Sequence, residues 1–173
     1  MARMTFGVGF LYIRATDYEE VAKAIEAGKI MVKENPALGQ MAEYYSVPNR
    51  IDVTLTTSPG LIVHECTHAI FDMRKITTRV EQSEGFGYLS QELHEWLTRG
   101  GPPTGRYMVS PNPADLKSSF GWQLIFDEAA RLAGKLARSG WIDESEVADL
   151  SAGIRATATY RGRVGQVRTY DGI

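Results

Sequence analysis

The order of predicted secondary structure is the feature of this sequence that most constrains its fold. Strand patterns occupy much of residues 1–57, whereas patterns with helical spacing, separated by Gly- and Pro-rich breaks, occupy the remainder. Strands that are followed by helices, and do not alternate with them regularly, indicate an α+β fold. We predict one domain over residues 1–173, with a mixed or antiparallel sheet of N-terminal strands packed on a helix and a mostly helical C-terminal half.

The local patterns also predict where the elements begin and end. Strands are expected over residues 5–14, 41–47 and 51–57, in the last of which apolar and polar side chains alternate. A helix capped by Asp17 is expected to extend to about residue 33, and a second begins at Ser58 and Pro59, which are typical of an N-cap and a first turn. Further helices are expected over residues 78–98 and 115–138, and from Asp143 onward.

Composition and charge exclude several classes of function. Hydrophobic residues make up 43% of the chain and charged residues 23%, and the net charge of −2 gives no indication of a nucleic-acid partner. No stretch approaches the ~18 apolar residues of a membrane span, and the single cysteine, Cys66, excludes an internal disulfide. The apolar run at residues 6–13 lacks a signal-peptide cleavage site. We therefore expect a cytoplasmic protein, or one exported without a cleaved signal peptide.

The nine residues HECTHAIFD, from His64 to Asp72, carry the strongest chemical pattern in the chain. His64 and His68 are four residues apart, which places both imidazoles on one helix face within reach of a single zinc ion. Glu65 is rotated by about 100° around the helix axis, where its carboxylate can contact the attacking water without binding the metal. We predict one Zn²⁺ bound by the two histidines, with Glu65 as the catalytic base.

This segment resembles the active-site helix of the zincin metallopeptidases, and most closely that of the thermolysin-like gluzincins. The resemblance covers this helix and the next one, about a fifth of the chain. It implies a small zincin-like domain that hydrolyses peptide bonds, and a third metal ligand that is a glutamate from the following helix. A looser likeness to small bacterial peptidases and effector toxins implies either a housekeeping role or a toxin.

The third ligand of a catalytic zinc site is expected from the helix over residues 78–98, because such sites have three protein ligands and one open position. Glu81 forms a capping-box pattern with Thr78, which gives it a structural role. Glu84 is followed by two glycines, which indicate close approach to a neighbouring helix. The helix also contains the pattern Glu-x-x-small-Tyr-Leu, which resembles the third-ligand helix of small zincins. At the position of Gly87 that helix usually has alanine. We predict Glu84, with Glu81 and then Glu92 as alternatives.

Tyrosines are the candidates for stabilising the transition-state oxyanion. Tyr88 is four residues beyond Glu84, so its hydroxyl is predicted to point into the same cleft and to donate a hydrogen bond there. The alternative is that Tyr88 only packs in the core. Tyr107 and Tyr160 are further candidates whose positions the sequence does not fix.

Several other polar residues have more than one interpretation. Asp72 is predicted either to orient a ligand imidazole or to pair at the surface with Arg74 or Lys75. Cys66 falls on the predicted buried face, so we expect an inert core thiol. The C-terminal arginines are expected to line a substrate cleft, to attract an acidic partner or to lie in solvent, and they are Arg155, Arg161, Arg163 and Arg168.

The predicted partner is a peptide or protein substrate, with neither nucleic acid nor membrane, and the sequence identifies no inhibitor. The strand at residues 51–57 is predicted to offer an edge to which an extended peptide adds as a further strand. One alternative is a zinc hydrolase of a non-protein amide, for example in the cell wall. The other is a non-catalytic, metal-stabilised binding protein, which Glu65 disfavours because a structural site needs no base.

Overall fold

The fold is α+β, as predicted, in a computed structural model that describes residues 4–38, 41–101 and 116–173. Within these residues the strands are β1 (Phe6–Val8), β2 (Leu11–Ile13), β3 (Met31–Glu34), β4 (Glu43–Tyr45), β5 (Arg50–Val53), β6 (Thr78–Arg79), β7 (Trp141–Ile142) and β8 (Val167–Arg168). The helices are α1 (Ala15–Glu26), α2 (Pro59–Met73), α3 (Val80–Arg99), α4 (Leu116–Ser139), α5 (Ala148–Ala156) and α6 (Ala158–Arg161). Short 3₁₀ helices lie at Pro36–Leu38 and Glu144–Val147.

The first sheet has the strand order β2-β1-β7. β1 pairs antiparallel with β2 and parallel with β7. The prediction of one strand over residues 5–14 is therefore wrong. The chain reverses at Gly9, whose φ of +57° is a conformation that glycine adopts without steric cost. β1 is buried throughout, and Phe6 packs on Phe86 of α3 with 6.1 Å between ring centroids.

The second sheet has the strand order β3-β5-β4 and lies beside α2. The helix that was predicted to reach about residue 33 ends at Glu26, and the chain turns through Gly28 at a φ of +70°. Residues 31–34 instead form β3, because they pair in parallel with β5. Since β5 has a neighbour on each side, the prediction that this strand offers a free edge is wrong. The edge that contacts α2 belongs to β4.

Helix α2 begins at the predicted cap. The Ser58 hydroxyl accepts a hydrogen bond from the backbone N–H of Leu61 at 3.2 Å, and Pro59 is the first helical residue. α1, α3 and β4 all pack against this helix, so most of its circumference is buried. The polar residues of HECTHAIFD therefore lie between layers of the fold and do not face open solvent.

Helix α3 lies at the centre of the helical part, where it contacts α2, α4 and α5. α4 corresponds to the helix predicted over residues 115–138. The C-terminal segment returns to the start of α3, because β8 pairs antiparallel with β6 and sets Arg168 opposite Thr78. In the described part of the chain, no helix combines the length and apolar character needed to cross a bilayer.

Candidate metal centre

The structure brings His64 and His68 of α2 together with Glu84 of α3. His64 Nε2 lies 3.5 Å from Glu84 Oε2, and His68 Nε2 lies 3.8 Å from Glu84 Oε1. One ligand atom from each of the three residues lies within 4.8 Å of the others, and all three side chains are buried. Two atoms that each lie about 2 Å from one zinc ion are roughly 3–4 Å apart. The two distances from the histidines to Glu84 and the donor set therefore fit a single metal ion.

Gly87 allows the two helices to approach closely enough to form this cluster. A Cβ atom built at Gly87 would lie 2.6 Å from both Cδ2 and Cε1 of His64, and closer still to Nε2. The His64 ring therefore occupies the space that any larger residue at position 87 would need. This contact explains one of the two glycines after Glu84, as the sequence predicted. The other, Gly85, faces α5 instead.

The Glu84 carboxylate is held by two donors from the C-terminal segment. Arg168 Nη2 lies 2.8 Å from Oε1, and the Tyr160 hydroxyl donates to Oε2 at 2.9 Å. Burial alone would raise the pKa of Glu84, but the two neighbouring histidines and Arg168 outweigh burial and hold the pKa well below its ordinary value. The carboxylate is therefore ionised, which is the form that binds a metal.

The two histidines differ in their surroundings. Burial lowers the pKa of His68 to about 3, so its imidazole is neutral and able to bind metal. Burial acts in the same direction on His64, but hydrogen bonding to Glu84 and the charges of Glu65 and Glu84 raise the pKa of His64 above its ordinary value. A proton therefore competes with a metal ion for His64 more strongly than it does for His68.

Glu65 lies next to this cluster on α2. Its Oε2 accepts a hydrogen bond from the backbone N–H of Tyr44 in β4 at 2.7 Å, which fixes the orientation of the carboxylate. Burial raises the pKa of Glu65 to about 7. A carboxylate with a pKa in this range can both accept and release a proton near neutral pH.

Ser83, and not Asp72, contacts the second nitrogen of a ligand imidazole. The Ser83 hydroxyl lies 3.0 Å from His68 Nδ1 and 3.2 Å from the Tyr170 hydroxyl. Asp72 is fully buried and accepts hydrogen bonds from the Tyr44 hydroxyl at 2.8 Å and the Gly172 N–H at 2.9 Å. Both interpretations of Asp72 from the sequence are therefore wrong, because its partners come from β4 and from the C-terminal segment.

Tyr160 reaches the cluster directly, whereas Tyr88 reaches it through Tyr160. The two hydroxyls are 2.7 Å apart, and Tyr160 donates onward to Glu84. The Tyr88 ring packs edge-on against His64, with 4.7 Å between ring centroids. The predicted oxyanion role of Tyr88 stays a prediction. Tyr107 lies outside the described residues.

The alternative third ligands lie elsewhere on α3. Glu81 accepts a hydrogen bond from the Gly165 N–H at 3.0 Å, and the cap of α3 is formed by Arg79 and Gln82, so the predicted capping box of Thr78 and Glu81 is wrong. Glu92 is buried but does not belong to the cluster.

The cysteine and three of the C-terminal arginines lie outside the ligand set. Cys66 is partly buried and its thiol pKa is raised to about 12 by burial, which agrees with an inert thiol. Arg155 and Arg161 are exposed, and Arg163 lies over the Tyr160 ring. Sequence analysis did not assign the contacts that Ser83 and Arg168 make, because each depends on residues distant along the chain.

A cleft of about 320 Å³ opens beside His68, between β4 and the C-terminal segment. No protein-family model matches the sequence, and no solved structure matches the fold with significance. The likeness to zincins therefore rests on the site residues themselves.

Proposed function

We propose that this protein is a zinc-dependent metallopeptidase. His64, His68 and Glu84 would hold one zinc ion, and Glu65 would act as the general base. The observation that carries the proposal is the convergence of three buried ligand atoms within 4.8 Å. A further buried glutamate, Glu65, directly follows His64 on α2. A purely structural zinc site has a closed set of four protein ligands and needs no adjacent base.

The bound zinc would supply Lewis-acid activation of the substrate carbonyl and of the attacking water. Glu65 takes a proton from that water and passes it to the leaving amine. Because Oε2 is engaged by the Tyr44 N–H, Oε1 is the oxygen that carries the proton. Tyr160 and Arg168 hold the two oxygens of Glu84, so this ligand is oriented before any ion arrives.

A peptide substrate is favoured by the position of β4. This strand forms an edge of its sheet and lines the cleft. An extended peptide can add to such an edge through main-chain hydrogen bonds. β4 thus takes the role that the sequence assigned to the neighbouring strand.

Metal analysis and hydrolysis of a broad peptide library test the proposal together. We expect one zinc per chain in the wild type and in Glu65→Gln, and none in His64→Ala. Hydrolysis should occur in the wild type and fall by roughly 10²–10⁴-fold in Glu65→Gln, because the base is lost. Glu81→Gln is the matched control, since Glu81 is an equally buried glutamate that lies on α3 outside the cluster, and it should retain both zinc and hydrolysis.

Other outcomes would replace the proposal. A wild type without bound zinc would remove it. Zinc binding with hydrolysis of cell-wall fragments and of no peptide would favour a non-protein amide as substrate, and zinc binding without any hydrolysis would favour a binding protein. The toxin hypothesis further predicts that the wild type, but not Glu65→Gln, arrests growth of the expression host.

A further inference from the structure

The cleft beside His68 carries an excess of positive charge. β4 forms one wall, and Arg163 and Arg168 lie on the opposite wall. Among the described residues that line the cleft, Glu43 is the only carboxylate, and it accepts a hydrogen bond from the Tyr45 hydroxyl at 2.7 Å.

Arg168 is anchored at the inner end of this wall. Its guanidinium binds Glu84 Oε1 at 2.8 Å and Ser83 Oγ at 3.4 Å, and its side chain remains 26% exposed. A zinc ion on Glu84 would share the negative charge that Arg168 now neutralises. The inner end of the cleft would then be cationic, because the ion and the guanidinium together exceed the charge of one carboxylate.

Arg163 also lines this cleft and is exposed. Its guanidinium carbon lies 5.6 Å from the centre of the Tyr160 ring, which limits its movement. In the described part of the chain, no ion pair joins Arg163 to a carboxylate. A guanidinium that is held on an aromatic ring and has no anionic partner can form a two-pronged pair with a carboxylate.

We propose that this cleft binds a carboxylate of the substrate near the bond that is cleaved, with Arg163 as the main contact and Arg168 as the second. This inference rests on the proposed function. The carboxylate can belong to an acidic side chain or to the C-terminus of a peptide, and both present the same group to the two arginines.

Matched peptide libraries test the inference by charge alone. The peptide set has two halves. The acidic half carries Asp and Glu at its variable positions, and the neutral half carries Asn and Gln, whose side chains have nearly the same shape. We expect the wild type to cleave the acidic half with a kcat/KM about tenfold higher, mainly through KM, which is the usual effect of one hydrogen bond to a charged group. Comparing free with amidated C-termini distinguishes the two sources of the carboxylate.

Arg163→Gln should abolish the preference, and Arg161→Gln should preserve it. Arg161 is the matched control because it is exposed, lies two positions away and does not line the cleft. Binding can also be measured without turnover. The acidic half carries a fluorescent label for this purpose, and its binding to the Glu65→Gln variant is measured by fluorescence anisotropy. We expect this binding to weaken in the double variant Glu65→Gln/Arg163→Gln and to decrease with added salt.

The possible failures are distinguishable. Hydrolysis of both halves with equal kcat/KM that C-terminal amidation leaves unchanged, or a preference that survives Arg163→Gln, would overturn the anion site and leave the peptidase intact. Selective binding of the acidic half without any hydrolysis would support the anion site and overturn the peptidase. Neither binding nor hydrolysis of either half would overturn both.

Discussion

Replacing Gly87 with alanine places one methyl group against the His64 ring. The new Cβ would lie 2.6 Å from Cδ2 and Cε1 of the ring, whereas ordinary contacts begin near 3.4 Å. The ring must therefore shift by at least about 0.8 Å, because the alternative is to move the backbone of α3 within a packed core.

This displacement is large for a metal ligand and small for the fold. Metal–ligand distances vary by about 0.2 Å, so a ring displaced by several times that amount cannot keep its place in the cluster. We expect zinc affinity to fall by at least about a hundredfold. Removing a group that only supports a metal ligand lowers metal affinity by up to about this factor, and here the ligand itself is displaced. Helix propensity favours alanine by about 1 kcal/mol and overpacking costs roughly 1–3 kcal/mol, so the metal-free protein should lose at most about 2 kcal/mol.

Gly85→Ala is the matched control on the same helix. A Cβ atom at Gly85 would meet Ile154 and Leu150 at 3.8 Å, which is an ordinary contact. This variant should keep the zinc affinity of the wild type and gain up to about 1 kcal/mol of stability, which corresponds to a Tm increase of roughly 2–4 °C.

The assay is competition with a chromophoric chelator, with circular dichroism as the check on folding. Thermal melts with and without zinc give a second readout, because a ligand of the native state raises Tm. If Gly87→Ala folds and binds zinc as tightly as Gly85→Ala does, the His64 ring does not lie against α3 and the assembly of the cluster is wrong.

Three further substitutions concern groups around the site. Ser83→Ala removes the hydroxyl beside His68 Nδ1 and should weaken zinc affinity roughly 10–100-fold in the same chelator assay. Tyr160→Phe removes a hydrogen bond to the charged Glu84 and should lower kcat/KM at least about tenfold on a cleaved peptide. Asp72→Ala leaves two donors without their acceptor and should lower the free energy of unfolding by roughly 2–4 kcal/mol in urea.

Each of these substitutions has a conservative partner. Ser83→Thr keeps the hydroxyl, so an equal loss in both variants would contradict a role for this hydrogen bond. Tyr88→Phe removes the bond between the two tyrosines but leaves the bond from Tyr160 to Glu84, and a loss of zinc affinity as large as that of Tyr160→Phe would contradict direct support of Glu84 by Tyr160. Asp72→Asn keeps one acceptor oxygen, and a stability equal to that of Asp72→Ala would contradict the buried network.

Features that depend on neighbouring residues were predictable from the sequence. The Ser58 cap of α2 follows from local patterns, as does the placement of His64 and His68 one helical turn apart. Glu84 could be predicted because it lies on the next helix, close in sequence. The glycine at position 87 indicated the close approach of that helix.

Features that depend on distant residues were not predictable. Residues 31–34 form β3 because of parallel pairing with β5, which overrides their helical spacing. Asp72 has the sequence position expected of a residue that orients a ligand imidazole, but its donors come from Tyr44 and Gly172. The C-terminal residues show no periodicity, so nothing local indicated that Arg168 pairs with Glu84.

The pairing of Arg168 with Glu84 has a consequence for the proposed zinc site when it is empty. In many small zinc domains the metal balances the charge of its ligands, so chelation unfolds the chain. Here the Arg168 guanidinium already balances the charge of the buried carboxylate, and the Tyr160 hydroxyl donates a hydrogen bond to it. Removal of the ion by a chelator should therefore leave a folded chain, and the same molecules could be emptied and refilled repeatedly.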